Sequence, residues 1–475
     1  MVATRVRKFA AVALVTGLAL LLLGVLGLPE LAAARSRSGE RAEAERVPTI
    51  VEQNSQRMLK EGEQTFRFDT FGSEQFFSAI GLHKAIEGSA FPGGVGGGVS
   101  PRTALAVGLK VDVDALPASL REDIKRGRVD LDNPAVTLKL LQLDAVVGLT
   151  GFFNNDDNDN DRDDREATRG GLKAVGIQCA LCHSTVDDSL APGIGHRLDG
   201  WANQDLNVGA ILNLAPNLTP VDQLLGVNDA TLRKVLTSWG PGKFDAEVFL
   251  DGKAFRPDGK PAATLIPSAF GLAGHNNHTW TGAWGTVTYW NALVANLEMH
   301  GGPGTFFDPR LDNAQQYPIA AAHRFGHVTA PPDQDRITPK LASLQFYQLA
   351  LPSPKAPEGT FDKQAAERGR LVFDGQGKCA TCHVPPLYTE PGWNVHTPAE
   401  VGIDSFQADR APDHRYRTAA LAGRLFNRKT DQGRGFYHDG RFKSLLEVVN
   451  HYNGFMHLGL SARQKADLVE YLKSI

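Results

Sequence analysis

Two short segments place cysteine and histidine at a spacing that can hold a cofactor covalently. Residues Cys179–His183 read Cys-Ala-Leu-Cys-His, residues Cys379–His383 read Cys-Ala-Thr-Cys-His, and together they use all four cysteines of the chain. Cys-x-x-Cys-His is the attachment signature of c-type haem. Because residues i and i+3 share one face of a helical turn, both thiols can bond to one porphyrin, and the next histidine can bind its iron. The sequence therefore predicts two covalently bound c-type haems.

The predicted attachment residues are Cys179, Cys182, His183, Cys379, Cys382 and His383, with the two histidines as proximal iron ligands. Two other interpretations are a redox dithiol and a zinc site built from both cysteine pairs. A dithiol has no need of the histidine, and 200 positions between the pairs is far outside compact zinc-ribbon spacing. We therefore favour the two haems, which leave no cysteine for a structural disulfide.

Length and composition indicate a globular protein of two or three domains. The chain has 475 residues, 42% of them hydrophobic, which is enough for a sizeable core. The net charge of −3 and the pI near 6.5 argue against a polyanionic partner, so no nucleic acid is expected.

The N-terminus has the pattern of an export signal. Three basic residues within the first eight positions precede an uncharged run over 9–28, and Ala32 and Ala34 suit the −3 and −1 cleavage positions. We predict a cleaved signal peptide over residues 1–34, with an uncleaved membrane anchor as the alternative. Both export the remaining chain, so the expected location is the periplasm, either free or anchored to the inner membrane.

The predicted fold class is mainly α, with two cytochrome c-like haem domains and an N-terminal extension. A helix over Phe361–Phe373 precedes the second motif, and Ser461 with Gln464 forms a capping box for a last helix. The apolar stretch 138–153 is also expected to be a buried helix. The predicted segments are 1–34 signal or anchor, 35–165 extension, 166–345 first haem domain and 346–475 second haem domain.

An Asn/Asp-rich run over 154–166 mimics the ligand spacing of a calcium loop. Its first ligand position is Asn155 where aspartate is usual, and Asn160 replaces the usual glycine. Such runs are more often solvated acidic loops, and we favour that interpretation over a calcium site.

Several stretches resemble the bacterial di-haem cytochrome c peroxidases and their relatives, including MauG. The resemblance covers about two thirds of the chain, over 170–475, and the haem spacing is closer to that of the di-haem rubber oxygenases. The matching stretches are Thr279–Gly282, Asn296–Met299, the run 346–354, the run 415–421 and Phe436–Gly440.

The resemblance implies that the N-terminal haem is reactive and that the C-terminal haem handles electrons. Trp280 matches a tryptophan that relays charge between the haems, and Glu298 matches a glutamate that assists O–O cleavage by moving a proton. The alternatives are an ordinary core tryptophan and a surface acid. Thr288 and Ala292 stand where the family has glutamine and proline, so the pocket differs from that of a plain peroxidase.

The sixth ligand of each iron decides whether a haem carries electrons or reacts. For the second haem, the family spacing counted from His438 leads to Tyr452, which we favour over Met456. Other candidates for the second haem are His451 and His457, and for the first haem they are His196, His275, His278 and His300. A five-coordinate first haem is a further alternative.

These patterns together predict an exported haem oxidoreductase that reduces peroxide. The expected partners are a small redox protein, a cytochrome c or a cupredoxin, as electron donor, and peroxide or dioxygen as oxidant. A membrane contact is expected only through the N-terminal anchor. The alternatives are a non-enzymatic di-haem electron carrier and an oxidase that resembles MauG or the rubber oxygenases.

Overall fold

The computed structural model describes residues 29–91, 93–154 and 171–475. Residues Leu59–Ile475 form one compact unit, and the described residues before Leu59 belong to a separate unit. The predicted signal falls almost wholly outside the described residues, as do the calcium-loop positions from Asn155 onward. Within the described ranges, no helix combines the length and apolarity needed to cross a membrane.

Helices dominate the described part of the chain, as predicted, and the strands are short. The helices are α1 (Pro29–Phe68), α2 (Glu74–Ala79), α3 (Leu82–Glu87), α4 (Pro101–Ala106), α5 (Ala118–Lys125), α6 (Pro134–Gln142), α7 (Ala180–His183), α8 (Val208–Leu212), α9 (Thr219–Leu225), α10 (Asp229–Trp239), α11 (Val248–Asp251), α12 (Val287–Leu293), α13 (Pro318–His323), α14 (Leu341–Ala350), α15 (Lys363–Asp374), α16 (Pro398–Val401), α17 (Phe406–Asp409), α18 (Leu445–Phe455) and α19 (Ala462–Ser474). A π-helical turn, Val294–Glu298, continues α12.

Ten short strands form five two-stranded ladders in the described residues. The strands are β1 (Val111–Asp112), β2 (Leu149–Phe153), β3 (Leu172–Ile177), β4 (Ser184–Val186), β5 (Ile194–Gly195), β6 (Arg197–Asp199), β7 (Lys243–Phe244), β8 (Thr264–Leu265), β9 (Phe306–Phe307) and β10 (His327–Val328). The β1–β5 pair is parallel, whereas β2–β3, β4–β6, β7–β8 and β9–β10 are antiparallel. The parallel pair joins the N-terminal extension to the chain that follows the first motif.

Three large apolar cores and one small apolar cluster around Leu272 lie within the described residues of the compact unit. The first combines extension residues such as Phe77 and Leu141 with Trp239 of α10, so the extension and the first motif segment share one core. The second lies around Trp284, and the third surrounds Phe373. The domain boundaries that the sequence suggests at 165/166 and 345/346 stay predictions.

The region of the second motif is built on the crossing of α15 and α19. A Cβ added to Gly369 would lie 2.0 Å from the Asp467 carbonyl oxygen, so the helices approach closely at a residue that has no side chain. Next to this crossing, the rings of Phe373 and Tyr471 meet edge to face at 5.1 Å. The predicted capping box of Ser461 and Gln464 at the start of α19 is confirmed.

The prediction of one buried helix over 138–153 is wrong. Helix α6 ends at Gln142, and the chain turns through Asp144 and Gly148, whose φ angles are 50° and 84°. Strand β2 then begins at Leu149 and pairs with β3. Short apolar runs do not distinguish a buried helix from a buried strand, and the left-handed positions between them decided the outcome here.

Candidate functional site

The first Cys-x-x-Cys-His segment folds into one helical turn directly after β3. The His183 N–H donates to the Cys179 carbonyl oxygen at 3.1 Å. Gly148 lies against this turn so closely that a Cβ there would be 2.2 Å from the Leu181 Cα. The turn therefore has the geometry expected from the motif, and a glycine of the N-terminal extension packs directly against its backbone.

The second segment forms a similar turn with 3₁₀ character at its start. The His383 N–H donates to the Cys379 carbonyl oxygen at 2.9 Å, and the Cys382 N–H donates to the same oxygen at 3.3 Å. In each motif, therefore, a helical turn separates the two cysteines, as the covalent attachment of a single porphyrin requires.

Both motif histidines are held through the same ring atom. His183 Nδ1 lies 3.1 Å from the Pro267 carbonyl oxygen, and His383 Nδ1 lies 3.0 Å from the Tyr388 carbonyl oxygen. A carbonyl oxygen only accepts, so Nδ1 is the donor in each case and the Nε2 lone pair remains for a metal ion. Burial lowers the pKa of His183 to about 4 and also lowers the pKa of His383, so both rings are neutral at neutral pH.

Each motif forms part of the wall of its own largely apolar cavity. The first cavity has a volume of about 240 Å³ and is bordered by Cys179, Cys182 and His183. The second has a volume of about 270 Å³ and is bordered by Cys379, Cys382 and His383. Cavities of similar size, each with two thiols and a neutral imidazole in its wall, fit one covalently bound haem apiece.

The zinc alternative does not fit this arrangement, because the two cysteine pairs border different cavities. In the described part of the chain, the cysteine, histidine and acidic side chains close enough to share a metal ion are Cys382, Glu390 and His396, which include one thiol only. Burial also raises the pKa of Cys179 and Cys182 to about 12, so these thiols are uncharged at neutral pH.

A thin wall that includes Trp280 separates the two cavities. Trp280 and Arg417 border both cavities, as do Leu265, Ile266, Pro267, Ser268 and Thr279. The Trp280 Nε1–H donates to the Leu265 carbonyl oxygen at 2.8 Å, which fixes the indole in this wall. The Arg417 guanidinium donates to the backbone carbonyl oxygens of Thr279 and Asn277 on the same segment.

Glu298 ends the π-helical turn and borders the first cavity. Its Oε1 is buried and has no hydrogen-bond partner among the described residues, so Glu298 is not a surface acid. Burial, reinforced by Glu247 and Asp245, raises the pKa of Glu298 well above its ordinary value. Burial and the neighbouring acids therefore favour the protonated form of this carboxyl group. Turns with π geometry are frequent at functional sites.

Thr288 and Ala292, the two departures from the family pattern, do not border the first cavity. Thr288 Oγ1 donates to Gln345, and Ala292 is buried on another face of α12. Two of the amide side chains that border the cavity, Asn291 and Gln348, are joined by an Asn291 Nδ2–H to Gln348 Oε1 hydrogen bond of 2.7 Å. Sequence reasoning missed this pair, because Gln348 lies on α14 and only tertiary packing brings it to Asn291.

The histidines considered as ligands of the first haem divide into two groups. His278 and His300 border the first cavity, whereas His196 and His275 do not. His196 is exposed and pairs with Asp114 at 2.9 Å. His300 is stacked on Phe76, with 3.8 Å between the ring centroids.

Tyr452 and Met456 both border the second cavity, but His451 and His457 do not. Tyr452 is half-buried and burial raises its pKa, whereas Met456 is 41% exposed. His438 also borders this cavity, stacked on Tyr416, and its Nε2 has no partner among the described residues. The choice of Tyr452 as sixth ligand stays a prediction.

No protein-family model and no curated protein match this chain. Among solved structures, a MauG-like protein associated with microbial copper homeostasis aligns over 46% of this chain and 75% of its own, with 18% identity and a TM-score of 0.30. A chain of hydrazine synthase from Kuenenia stuttgartiensis aligns over 45% of this chain and 72% of its own, with 16% identity and a TM-score of 0.25. These scores are too low to define the fold or the function of this chain.

Proposed function

We propose that this protein is an exported di-haem c-type cytochrome that acts as an oxidoreductase. The observation that carries the proposal is the pair of similar apolar cavities, each bordered by one Cys-x-x-Cys-His turn and separated by the wall that contains Trp280. In this proposal the residues Cys179, Cys182 and His183 hold the first haem, and Cys379, Cys382 and His383 hold the second.

A bound c-type haem supplies an iron that exchanges single electrons and, where its sixth position is open, reacts with small oxidants. The chain contributes neutral imidazoles fixed by Pro267 and Tyr388, and it excludes water with apolar walls. Glu298 is the acid in the first cavity, and it can hold or give up a proton where the oxidant lies.

The specific activity that we propose is the reduction of peroxide at the first site. One hydrogen peroxide, two electrons and two protons give two molecules of water. A small exported redox protein, a cytochrome c or a cupredoxin, supplies the electrons through the second site. Trp280 lies in the wall between the sites and offers an aromatic path for them. We expect this chemistry in the periplasm, because the predicted signal and covalent haem attachment both indicate an exported protein.

Stopped-flow mixing of the reduced holoprotein with hydrogen peroxide tests the proposal. Both haems are expected to be oxidised, with the spectrum of the first changing before that of the second. Electron paramagnetic resonance of the ferric protein should show one haem with an exchangeable sixth position. Peroxide that leaves both spectra unchanged would argue against peroxide reduction.

A non-enzymatic electron carrier is the second candidate, and one observation favours it. His278 and His300 both border the first cavity, so a histidine is available to close the sixth position of the first haem. In that case both ferric haems would be six-coordinate and low-spin and would not respond to peroxide. The same two measurements therefore separate the candidates.

A further inference from the structure

A group of buried charged side chains lies next to the first cavity, and the haem motifs do not account for it. The group, here called the Arg410 cluster, consists of Arg410, Asp245, Asp251 and Glu247. The Arg410 guanidinium pairs with Asp245 at 2.8 Å and with Asp251 at 2.8 Å, and all three side chains are 0% exposed. Glu247 is also buried, and its Oε1 accepts a hydrogen bond of 2.7 Å from Gln407 Nε2.

The Arg410 cluster reaches the first cavity through Glu247. Glu247, its partner Gln407 and Glu298 all border this cavity. Gln407 and Arg410 come from the C-terminal part of the chain, at α17, whereas Glu247 directly precedes α11. Two carboxyl groups from distant parts of the sequence, Glu247 and Glu298, therefore border one apolar space.

The charges of this region do not balance if every acid is ionised. Asp245, Asp251 and Glu247 are buried, Glu298 has a buried Oε1 atom, and the Arg410 guanidinium pairs directly with only two of these four carboxyl groups. Burying unpaired charge is costly, and a carboxyl group in that position takes up a proton instead. Asp245 and Asp251 are the direct ion-pair partners of Arg410. Glu247 and Glu298 are consequently the groups that hold protons.

The directions of the pKa shifts agree with this count. Burial raises the pKa of Glu247 to about 7 and that of Asp245 to about 6, and Arg410 opposes both shifts. The pKa of Glu298 is also raised, again mainly by burial. Tyr317, whose hydroxyl donates to the Arg410 carbonyl oxygen at 3.1 Å, lies beside the cluster, and His278, His300 and Arg417 border the same cavity as Glu247. Burial therefore favours the protonated form of Glu298, and Glu247 can exchange a proton near neutral pH.

We propose that Glu247 and Glu298 form a two-proton store for the first cavity, in which Glu298 delivers a proton to the oxidant and Glu247 exchanges protons with Glu298. This inference rests on the proposed function for its substrate. The reaction breaks the O–O bond of one peroxide, takes two electrons from the reduced redox partner, and takes one proton from each carboxyl group to form two waters. Both carboxyl groups then recover their protons from water.

The reduction potential of the first haem as a function of pH tests the role of Glu247 without measuring turnover. Reduction adds negative charge beside the cavity and raises the proton affinity of a carboxylate there, so electron uptake is accompanied by proton uptake. In the parent holoprotein, we expect the potential of the first haem to fall as the pH rises above about 7. The second haem, on the other side of the Trp280 wall, serves as the internal reference.

Glu247→Gln should abolish this pH dependence while the protein keeps both haems. Glu298→Gln should leave it in place, because the proposal assigns the proton taken up on reduction to Glu247. Gln407→Leu removes a hydrogen bond that favours the charged form of Glu247, so it should move the onset to higher pH. Gln407→Leu keeps the test decisive if Glu247→Gln does not fold. Glu367→Gln, at an exposed position of α15, is the matched control and should behave as the parent.

A parent potential that is independent of pH, or a pH dependence that persists in Glu247→Gln, would overturn the proton store. The proposed peroxide reduction fails on different evidence, namely the absence of a spectral response to peroxide. A protein that shows the Glu247-dependent potential but does not react with peroxide would keep the proton store and lose the proposed substrate.

Discussion

Single residues decide whether the first cavity can perform acid–base chemistry. Glu298 matters because its Oε1 atom is buried without a hydrogen-bond partner among the described residues, at the end of a π-helical turn that borders the cavity. Burial favours its protonated form, in which it can enter the reaction as a proton donor. A general acid must be protonated in order to act, and the sequence resemblance alone did not indicate the protonation state of Glu298.

Replacing Glu298 by Gln should slow the oxidation of the first haem by peroxide by about 10²–10⁴-fold, because the substitution removes the titratable group at nearly constant shape. The rate is measured by stopped-flow absorbance, and the haem content should stay at the parent value. Glu367→Gln provides the control at an exposed site. A Glu298→Gln protein as fast as the parent would remove Glu298 from the mechanism.

Two side chains that border the second cavity are candidates for the sixth iron ligand. Tyr452 lies in α18, and Met456 directly follows this helix. If Tyr452 binds the iron, its phenolate favours the ferric state and lowers the potential, whereas a Met456 thioether would raise it. Tyr452→Phe should therefore change the ferric spectrum and raise the potential of the second haem, and Met456→Leu should do neither. The opposite pattern would transfer the role to Met456.

Among the secondary-structure elements, the crossing of α15 and α19 supports the second cavity. Its tightest contact is at Gly369, where a side chain would collide with the Asp467 carbonyl oxygen. The third apolar core, which includes Phe373 and Leu468, is built on this crossing and continues into the second cavity. A separation of these helices would therefore displace residues that border the second cavity.

We expect Gly369→Ala to destabilise the protein by about 1–3 kcal/mol, because two helix backbones must move apart to admit the methyl group. Gly454→Ala is the matched control, since Gly454 lies within α18 with open space around it. Alanine is the better helix former, so this control should stabilise by up to about 1 kcal/mol. Thermal or denaturant unfolding of the holoprotein measures both. Equal effects of the two changes would contradict the close crossing.

At the scale of the whole molecule, the two cavities are distinct but share a wall. Cys179→Ala combined with Cys182→Ala should therefore halve the haem content and leave the second haem attached. The reverse pair, Cys379→Ala with Cys382→Ala, should leave the first. Haem-stained gels of the denatured protein and the mass of the intact chain give the count. Two covalent haems in either double variant would be incompatible with one haem per motif.

The Trp280 wall is the expected route for electrons between the sites. Trp280→Phe keeps an aromatic ring but loses the Nε1 hydrogen bond to Leu265. The first reaction with peroxide should keep its rate, and the subsequent oxidation of the second haem should slow. Trp393→Phe, at a position that is 66% exposed, is the control. An unchanged second phase would exclude Trp280 from the route.

Ion pairs connect the first motif segment with the C-terminal part of the chain. Arg256, from the first motif segment, pairs with Asp439 at 2.9 Å and with Asp404 at 3.1 Å, and Arg441 pairs with the same two acids. Lys243 donates to the Asp439 carbonyl oxygen at 2.8 Å. These contacts lie beside His438, whose carbonyl oxygen accepts a hydrogen bond of 2.7 Å from the N–H of Leu265 in the Trp280 wall.

The sequence by itself determined the features that depend on local spacing. The two Cys-x-x-Cys-His turns, the helix before the second motif and the Ser461 capping box follow from neighbouring residues, and the structure has each of them as a helical turn or helix. The mainly helical class followed in the same way. These features involve residues within a few positions of one another, where hydrogen-bond geometry leaves few alternatives.

Only the tertiary structure decided what surrounds the two sites. The Asn291–Gln348 amide pair, the Arg410 cluster and the double-sided position of Trp280 join residues that are tens to hundreds of positions apart. The strand at 149–153 was mistaken for helix because its apolar run fits either structure, and its pairing with β3 settled the matter. Whether an acid keeps its proton depends on burial and on neighbouring charges, and the packing of the whole chain fixes both.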